Sequence, residues 1–354
     1  SSVELTEVCI NRIEQHDETL NAIPVKTFER AREAAQMADQ RIDAGEEAPL
    51  LGLPITLKES TLVAGLPQTA GIEDFKGYLP EKNGVLAHRL FEAGVGLLGK
   101  TNIPVALGDW QANSPVYGTC NNPWDLGRTP GGSTGGGAAS LASGMAPLEL
   151  GSDIGGSIRV PAAYCGVYGH RPSETALPRS GAFPMADIQN PAFFLGVQGP
   201  LARSADDLEL MFDVLKGPEP GEDVGWQLAL PNSRHDQLKD FRVAVLSTCG
   251  SVRPSSEMAG RLMELAEFLR SEGATVTEEA PPFDINDFMR SYTTLLMTLI
   301  SLGTPEEARQ ENAEQLLKMG DEIFDAQARG MTLSASDYVM LLAHRETFKV
   351  AWAD

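Results

Sequence analysis

The residues richest in chemistry lie in segment 130–173, PGGSTGGGAASLASGMAPLELGSDIGGSIRVPAAYCGVYGHRPS. Two serines, Ser133 and Ser157, are each embedded in glycines. Glycine accepts dihedrals that other residues avoid, so successive backbone N–H groups can converge on one point. Such a point suits an anion or a developing oxyanion. Three readings compete. A phosphate loop requires GxxxxGK[ST], and neither glycine cluster is followed by Gly-Lys. The nucleophile elbow of an α/β-hydrolase fits literally, because Gly131-Gly132-Ser133-Thr134-Gly135 is GxSxG, with His170, His235 and His344 as candidate partners. That elbow needs a strand directly before the serine, however, and 124–130 is turn-like. The third reading uses both serines together with Lys58, which ends a separate apolar run.

Elements must then bring these groups together. Residues 51–57, LGLPITL, read as a buried strand delivering Lys58 to its end. A short strand is expected at 94–99 and a small-residue helix at 135–144, and 148–157 runs into the second glycine cluster. Amphipathic or charged helices are expected at 3–23, 28–44 and 85–92, and 108–134 reads as loop. Residues 197–214 show a polar entry and then an apolar helix. The Pro/Gly/acidic loop 217–225 is the best candidate boundary. After it, a strand at 241–246, a helix at 255–271 and a strand from 275 form a βαβ unit, which favours parallel pairing. The remainder from 283 is mostly helical. The fold class is α/β.

Read together, these motifs resemble the amidase signature family, whose pattern is close to GGSSGG…GTDxGGSIRxPAxxCGxxGxKP. Here Gly131-Gly132-Ser133-Thr134-Gly135-Gly136 is followed by Gly151-Ser152-Asp153-Ile154-Gly155-Gly156-Ser157-Ile158-Arg159, then Pro161-Ala162, Cys165-Gly166, Gly169 and Arg171-Pro172. Upstream, Gly52-Leu53-Pro54-Ile55-Thr56-Leu57-Lys58 resembles the family's lysine strand. Gly99-Lys100-Thr101-Asn102-Ile103-Pro104, Tyr117-Gly118 and Asn122-Pro123-Trp124 match as well. The chain departs from the pattern at Glu59, Ser114, Thr134 and His170-Arg171, and none of these departures removes a catalytic group.

The resemblance implies one domain over 1–354, a mixed, largely parallel central sheet flanked by helices, without the family's N-terminal helix and C-terminal segment. It implies an amidohydrolase that cleaves a carboxamide to a carboxylic acid and ammonia or an amine. Ser157 is then the nucleophile, Lys58 the base, and Ser133, at a cis-peptide position, the proton bridge between them. A lysine of ordinary pKa, about 10.4, is a base near neutrality only if burial depresses it. The backbone N–H groups of Ile154, Gly155, Gly156 and Ser157 are the implied oxyanion donors. Thr134, Asp153 and Arg159 would hold this loop and the serines in place. Leu107, Trp110 and Gly132 would border the substrate pocket, with ordinary packing an equal alternative for Leu107 and Trp110. Cys165 reads as core, and His170 as structural. Two other functions stay open. One is the glutaminase component of a tRNA-dependent amidotransferase, which uses the same residues. The other is a non-catalytic scaffold, which would have no need for Lys58, Ser133 and Ser157 together.

Composition narrows the setting. The 354 residues carry a formal charge of −21, which argues against a partner with a nucleic-acid backbone or an anionic membrane surface. Hydrophobic residues at 42% and charged ones at 22% suit a folded globular chain. Cys9, Cys120, Cys165 and Cys249 form no CxxC, and the histidines no HExxH, so a disulfide framework and a metal site are not expected. The expected partner is a small-molecule amide, with no nucleic acid, no membrane, no metal and no organic cofactor; a homodimer stays open. Reduced thiols point to the cytoplasm. A removed leader is compatible with a start at Ser1-Ser2.

Overall fold

The structure, a computed structural model, describes residues 1–183, 194–248, 250 and 253–353, so Cys249 lies outside it. The chain divides into two compact units, Ser1–Leu228 and Ala229–Asp354, and the division falls just beyond loop 217–225.

In chain order the first unit contains α1 (Ser2–Leu20), β1 (Val25–Lys26), α2 (Phe28–Asp43), β2 (Pro54–Lys58), α3 (Val85–Glu92), β3 (Gly96–Thr101), β4 (Asn113–Ser114), β5 (Gly118–Thr119), α4 (Gly135–Ala142), β6 (Leu148–Asp153), α5 (Arg159–Cys165), β7 (Tyr168–Gly169), β8 (Val197–Ala202) and α6 (Ala205–Leu215). Its main sheet has six strands in the order β1-β3-β2-β6-β8-β7. The central strands β3, β2 and β6 pair in parallel, and β1 and β8 run antiparallel to them. Because β7 is antiparallel to β8, four of the six strands point the same way, the mixed and largely parallel sheet that was expected.

The central strands β2 and β3 are buried along their whole length, which is why they read as unbroken apolar runs rather than alternating ones. Ile55, Leu57, Leu97 and Leu150 pack with Leu86 and Leu90 of α3 and Met211 and Leu215 of α6. A second cluster joins Ile10 and Ile13 of α1 to Leu98 and Ala139. The α1 helix starts in a capping box: Glu4 N–H donates to Ser1, and the Glu4 carboxylate accepts from the Ser1 amino group.

A demanding contact is that of α4. Gly135-Gly136-Gly137 opens this helix, although each interior glycine costs about 1 kcal/mol against alanine. Proximity explains it. A Cβ on Gly136 would overlap the Asn102 amide nitrogen and stand 2.5 Å from the Ala22 carbonyl oxygen. A Cβ on Gly137 would stand 2.6 Å from the Glu149 side chain. The helix therefore lies on the sheet at a distance that only glycine allows.

Two features depart from expectation. The polar entry at 203–207 does lead into helix α6, but residues 197–202 ahead of it, where no strand was expected, form strand β8, with Leu150 opposite Pro200. Gly199-Pro200 disguises it, since Pro cannot donate to a ladder; glycine is needed at 199 because a Cβ there would overlap the His170 carbonyl oxygen. The expected loop 108–134 contains the short hairpin β4–β5, whose two-residue strands carry no periodic signal.

In the second unit, β9 (Arg242–Val245), α7 (Ser256–Ser271) and β10 (Thr275–Glu278) make the expected strand–helix–strand unit, paired in parallel with Arg242 opposite Thr275. The helices α8 (Ile285–Ile300), α9 (Glu306–Leu317), α10 (Glu322–Met331) and α11 (Ala335–Ala353) follow. Among the described residues no helix is long and apolar enough to cross a membrane.

Candidate active site

Strands β2 and β6 are parallel neighbours, so their C-terminal ends open on the same edge of the sheet. Ligand sites of open α/β sheets favour that edge. Lys58 is the last residue of β2, Ser157 lies in the loop after β6, and Ser133 lies just before α4. The structure brings all three segments together. Lys58 Nζ donates to Ser133 Oγ at 2.7 Å and to Ser152 Oγ at 2.9 Å. The Thr134 N–H donates to the Ser157 carbonyl at 3.1 Å, tying one serine segment to the other. The Gly132–Ser133 peptide bond is cis, at the position the resemblance implied. Ser157 Oγ makes no hydrogen bond among the described residues, and both serines are buried. Hydrogen bonds of this kind often close only when substrate is bound.

The electrostatics suit a base. Lys58 is 0% exposed. Desolvation pulls its pKa down to about 7, although the negative fields of Asp153 and Glu149 oppose that shift. A substantial share of this amine is therefore neutral near pH 7, with a lone pair 2.7 Å from the Ser133 hydroxyl.

Asp153 organises the glycine loop. Its carboxylate accepts from the amides of Gly156 at 2.8 Å and Ile158 at 3.0 Å. It pairs with Arg159 at 2.9 Å and, more loosely, with Arg171 at 3.7 Å. Burial works against its charge, but Arg159 and the two amides more than offset this and hold the carboxyl below its usual range. One of the four amides expected to meet an oxyanion is thereby already engaged. The Gly156 amide is turned to Asp153, whose buried oxygen needs a donor, whereas the amides of Ile154, Gly155 and Ser157 make no hydrogen bond among the described residues. Asp153 and Arg159 thus form an ion pair, as expected.

Around this loop, Thr134 Oγ1 donates to the Ser152 carbonyl at 3.3 Å, and a Cβ on Gly151 would collide with it. Trp110 is 55% exposed, and its Nε1–H donates to the Gly155 carbonyl at 3.0 Å, so its ring borders the loop of free amides. Leu107 follows Ala106 in a turn where both residues have positive φ, and it lies in the same connection as Trp110. Gly132 presses on the backbone of Asp109 and Gln111, where a Cβ would stand 2.6 Å from both carbonyl oxygens. Cys165 is buried, with its thiol on the Pro130 carbonyl just before the cis segment. His170 packs edge-on against Phe212.

Sequence reasoning missed three contributors. Ser152 stands in the motif without an assigned role, yet it holds Lys58 Nζ. Arg171 is a departure from the family pattern, and its pairing with Asp153 was not foreseen. Glu149, wholly buried on β6, was not singled out at all. The one available signal for Glu149 was a lone acid inside the apolar run Leu148-Glu149-Leu150. Among the described residues, no cluster of three His, Cys, Asp or Glu is placed to hold a metal ion.

Known proteins share this arrangement of elements. A glutamyl-tRNA(Gln) amidotransferase subunit from Synechococcus elongatus is 36% identical over 288 residues, 80% of this chain and 58% of its own. A bacterial aryl acylamidase of the amidase signature enzymes is 26% identical with a TM-score of 0.75, covering 99% of this chain and 72% of that one. A chain from a vestigial protein complex, tied to the evolutionary origins of an s-triazine catabolic enzyme, is 27% identical with a TM-score of 0.76, covering 100% and 75%. The chain spans about half the length of the curated relatives it matches. The model of the Amidase family matches residues 4–332, from α1 to the end of α10, and with it the chain belongs to the amidase signature family.

Proposed function

We propose that this protein hydrolyses a small-molecule carboxamide through an acyl-enzyme on Ser157. The observation that carries the reading is the wholly buried Lys58 amine, 2.7 Å from Ser133 Oγ at the mouth of a loop with free amides. An amide is a poor electrophile with a poor leaving group, so nucleophile, oxyanion donors and acid must all be present.

The sequence of events balances within the chain's own groups. Ser157 Oγ bonds to the carbonyl carbon while its proton passes to Ser133 Oγ, and the Ser133 proton passes to neutral Lys58. The carbonyl oxygen gains the negative charge and is met by the amides of Ile154, Gly155 and Ser157. Collapse breaks the C–N bond as the proton returns from Lys58 through Ser133 to the leaving nitrogen. Water then attacks the Ser157 ester by the same relay, releasing the acid and restoring the serine. Proton transfer and charge stabilisation are both assigned, so the reading calls on no cofactor.

A second reading is favoured by the amidotransferase relatives: the same residues would release ammonia from glutamine within a complex. One experiment tests both. The full chain is offered a panel of aliphatic, aryl, fatty and amino-acid amides, glutamine included, with ammonia release measured and the acyl adduct located by mass spectrometry. Turnover with an adduct on Ser157 supports the proposal. Turnover of glutamine alone favours the second reading, and an adduct elsewhere overturns both.

A further inference from the structure

We propose that Glu149, buried in the strand beside Lys58, is a positioning residue that sets the pH at which Lys58 becomes a base. This rests on the reading of Lys58 as the base. In the sheet register Thr56 lies opposite Glu149, and Thr56 and Lys58, two residues apart, share a face of β2. The Glu149 side chain therefore occupies the same face as Lys58, one step of roughly 7 Å back along the strands.

The surroundings of Glu149 fit a carboxyl kept for its charge rather than for an ion pair. Both its chain and that of Lys58 are 0% exposed. Thr101 Oγ1 donates to Oε1 at 2.7 Å and the Thr56 hydroxyl also favours the charged carboxyl, while Oε2 is buried without a hydrogen bond of ordinary geometry. Such an orphan oxygen is rare in a native interior and asks for an explanation. Room for the group is created by Gly137, where a Cβ would stand 2.6 Å from the Glu149 carboxyl.

Other charges near Lys58 are already committed. Asp153 is held by Arg159 and Arg171 and by the loop amides. Glu59, next in sequence to Lys58, accepts from the amides of Thr69 and Ala70 and from the Tyr117 hydroxyl. Lys100, on β3, donates to the Pro67 carbonyl and feels Glu59. Neither α4 nor β8 contributes a charged side chain. That leaves Glu149 without a cation bonded to it, and Lys58 is the cation whose field reaches it. Burial pushes the Glu149 carboxyl up to about 7, the range in which Lys58 titrates. The two groups then release their protons as a coupled pair.

The sign follows. A carboxylate beside Lys58 stabilises the ammonium and so delays formation of the base. A full charge within roughly 10 Å in a protein interior moves a neighbour's proton affinity by about one pH unit. The experiment measures kcat/KM against pH for the wild type and for Glu149→Gln, using an amide the wild type turns over. The acid limb should move down by about one pH unit, with the plateau changed by less than about tenfold. If Glu149→Gln does not fold, Thr101→Val serves instead. It keeps the carboxyl but removes one of the hydroxyls that favour its charged form, so the carboxyl stays protonated to higher pH and the limb again moves down, by less. The infrared band of the protonated carboxylic acid, absent in Glu149→Gln, should persist to higher pH in Thr101→Val. An acid limb that stays in place in the folded variant overturns the inference. Ser157→Ala, run in parallel, separates the two levels: if it remains active, the underlying reading of the site has failed instead.

Discussion

Lys58 Nζ and Ser133 Oγ lie 2.7 Å apart, and both residues are shut off from water. An amine in that position has two options, a neutral state or a matched counter-charge, and no acid is hydrogen-bonded to it. Its contacts are hydroxyls and one carbonyl, which a neutral amine can share without forming an ion pair.

Ser157→Ala tests the nucleophile. Amide hydrolysis should fall on the order of 10⁴-fold or more, as when any member of a concerted nucleophile system is removed. The circular dichroism spectrum and melting temperature should stay close to wild type, since one hydroxyl with no described hydrogen bond is lost. Survival of the activity would sink the assignment.

The pH profile tests the base. Burial places Lys58 near 7, so below that pH the amine is an ammonium with no lone pair, and above it the free base accumulates. kcat/KM should rise through about pH 7 to a plateau. Lys58→Ala should lose most activity, and its residual rate should lack that limb. A wild-type profile flat across the neutral range would contradict the role.

Asp153→Asn tests the loop anchor. The amide side chain keeps an acceptor but gives up the charge that holds Arg159 at 2.9 Å and the donors at Gly156 and Ile158. Charged hydrogen bonds of this sort contribute roughly 1.5–3 kcal/mol. Urea denaturation should show a loss of about 2 kcal/mol. kcat should fall by about 10²-fold while KM changes little, because the amides proposed to meet the oxyanion would lose their fixed direction. A change in KM alone would place Asp153 in substrate binding instead.

Gly136→Ala tests the packing of α4. In a free helix this change is stabilising, by about 1 kcal/mol. Here the new Cβ meets Asn102 and Ala22, and overpacking should reverse the sign to a loss of about 1–3 kcal/mol. Gly260→Ala on α7, where nothing lies within 4 Å, should be neutral or slightly stabilising. Thermal melts of the two variants would show the contrast, and a stabilised Gly136→Ala would mean that the helix stands further from the sheet.

What could be read from the chain follows the physics of each element. The strand that ends on Lys58 was legible because a strand buried on both faces reads as one apolar run. Ser133 and Ser157 were legible because their glycines are forced by close approach. Strand β8 was not, since Gly199-Pro200 looks like a breaker unless the facing backbone of β6 and His170 is known. Ser152 and Glu149 were hidden for another reason: their importance depends on the register of β6 against β2, which no local pattern encodes. The turn of the Gly156 amide to Asp153 is likewise a matter of three-dimensional hydrogen-bond supply, not of residue type.

The separation of the site's parts along the chain has a consequence for how the protein matures. Lys58 reaches Ser133 across 75 residues and Ser152 across 94. Closing intervals of that length precedes any reward from the contacts themselves, and such non-local pairings form slowly. Under the proposed mechanism, a nascent chain would be inert until the segment carrying Ser157 has left the ribosome and β6 has docked on β2. On refolding, helical signal should return first and turnover should follow, so that regain of activity times the completion of the sheet.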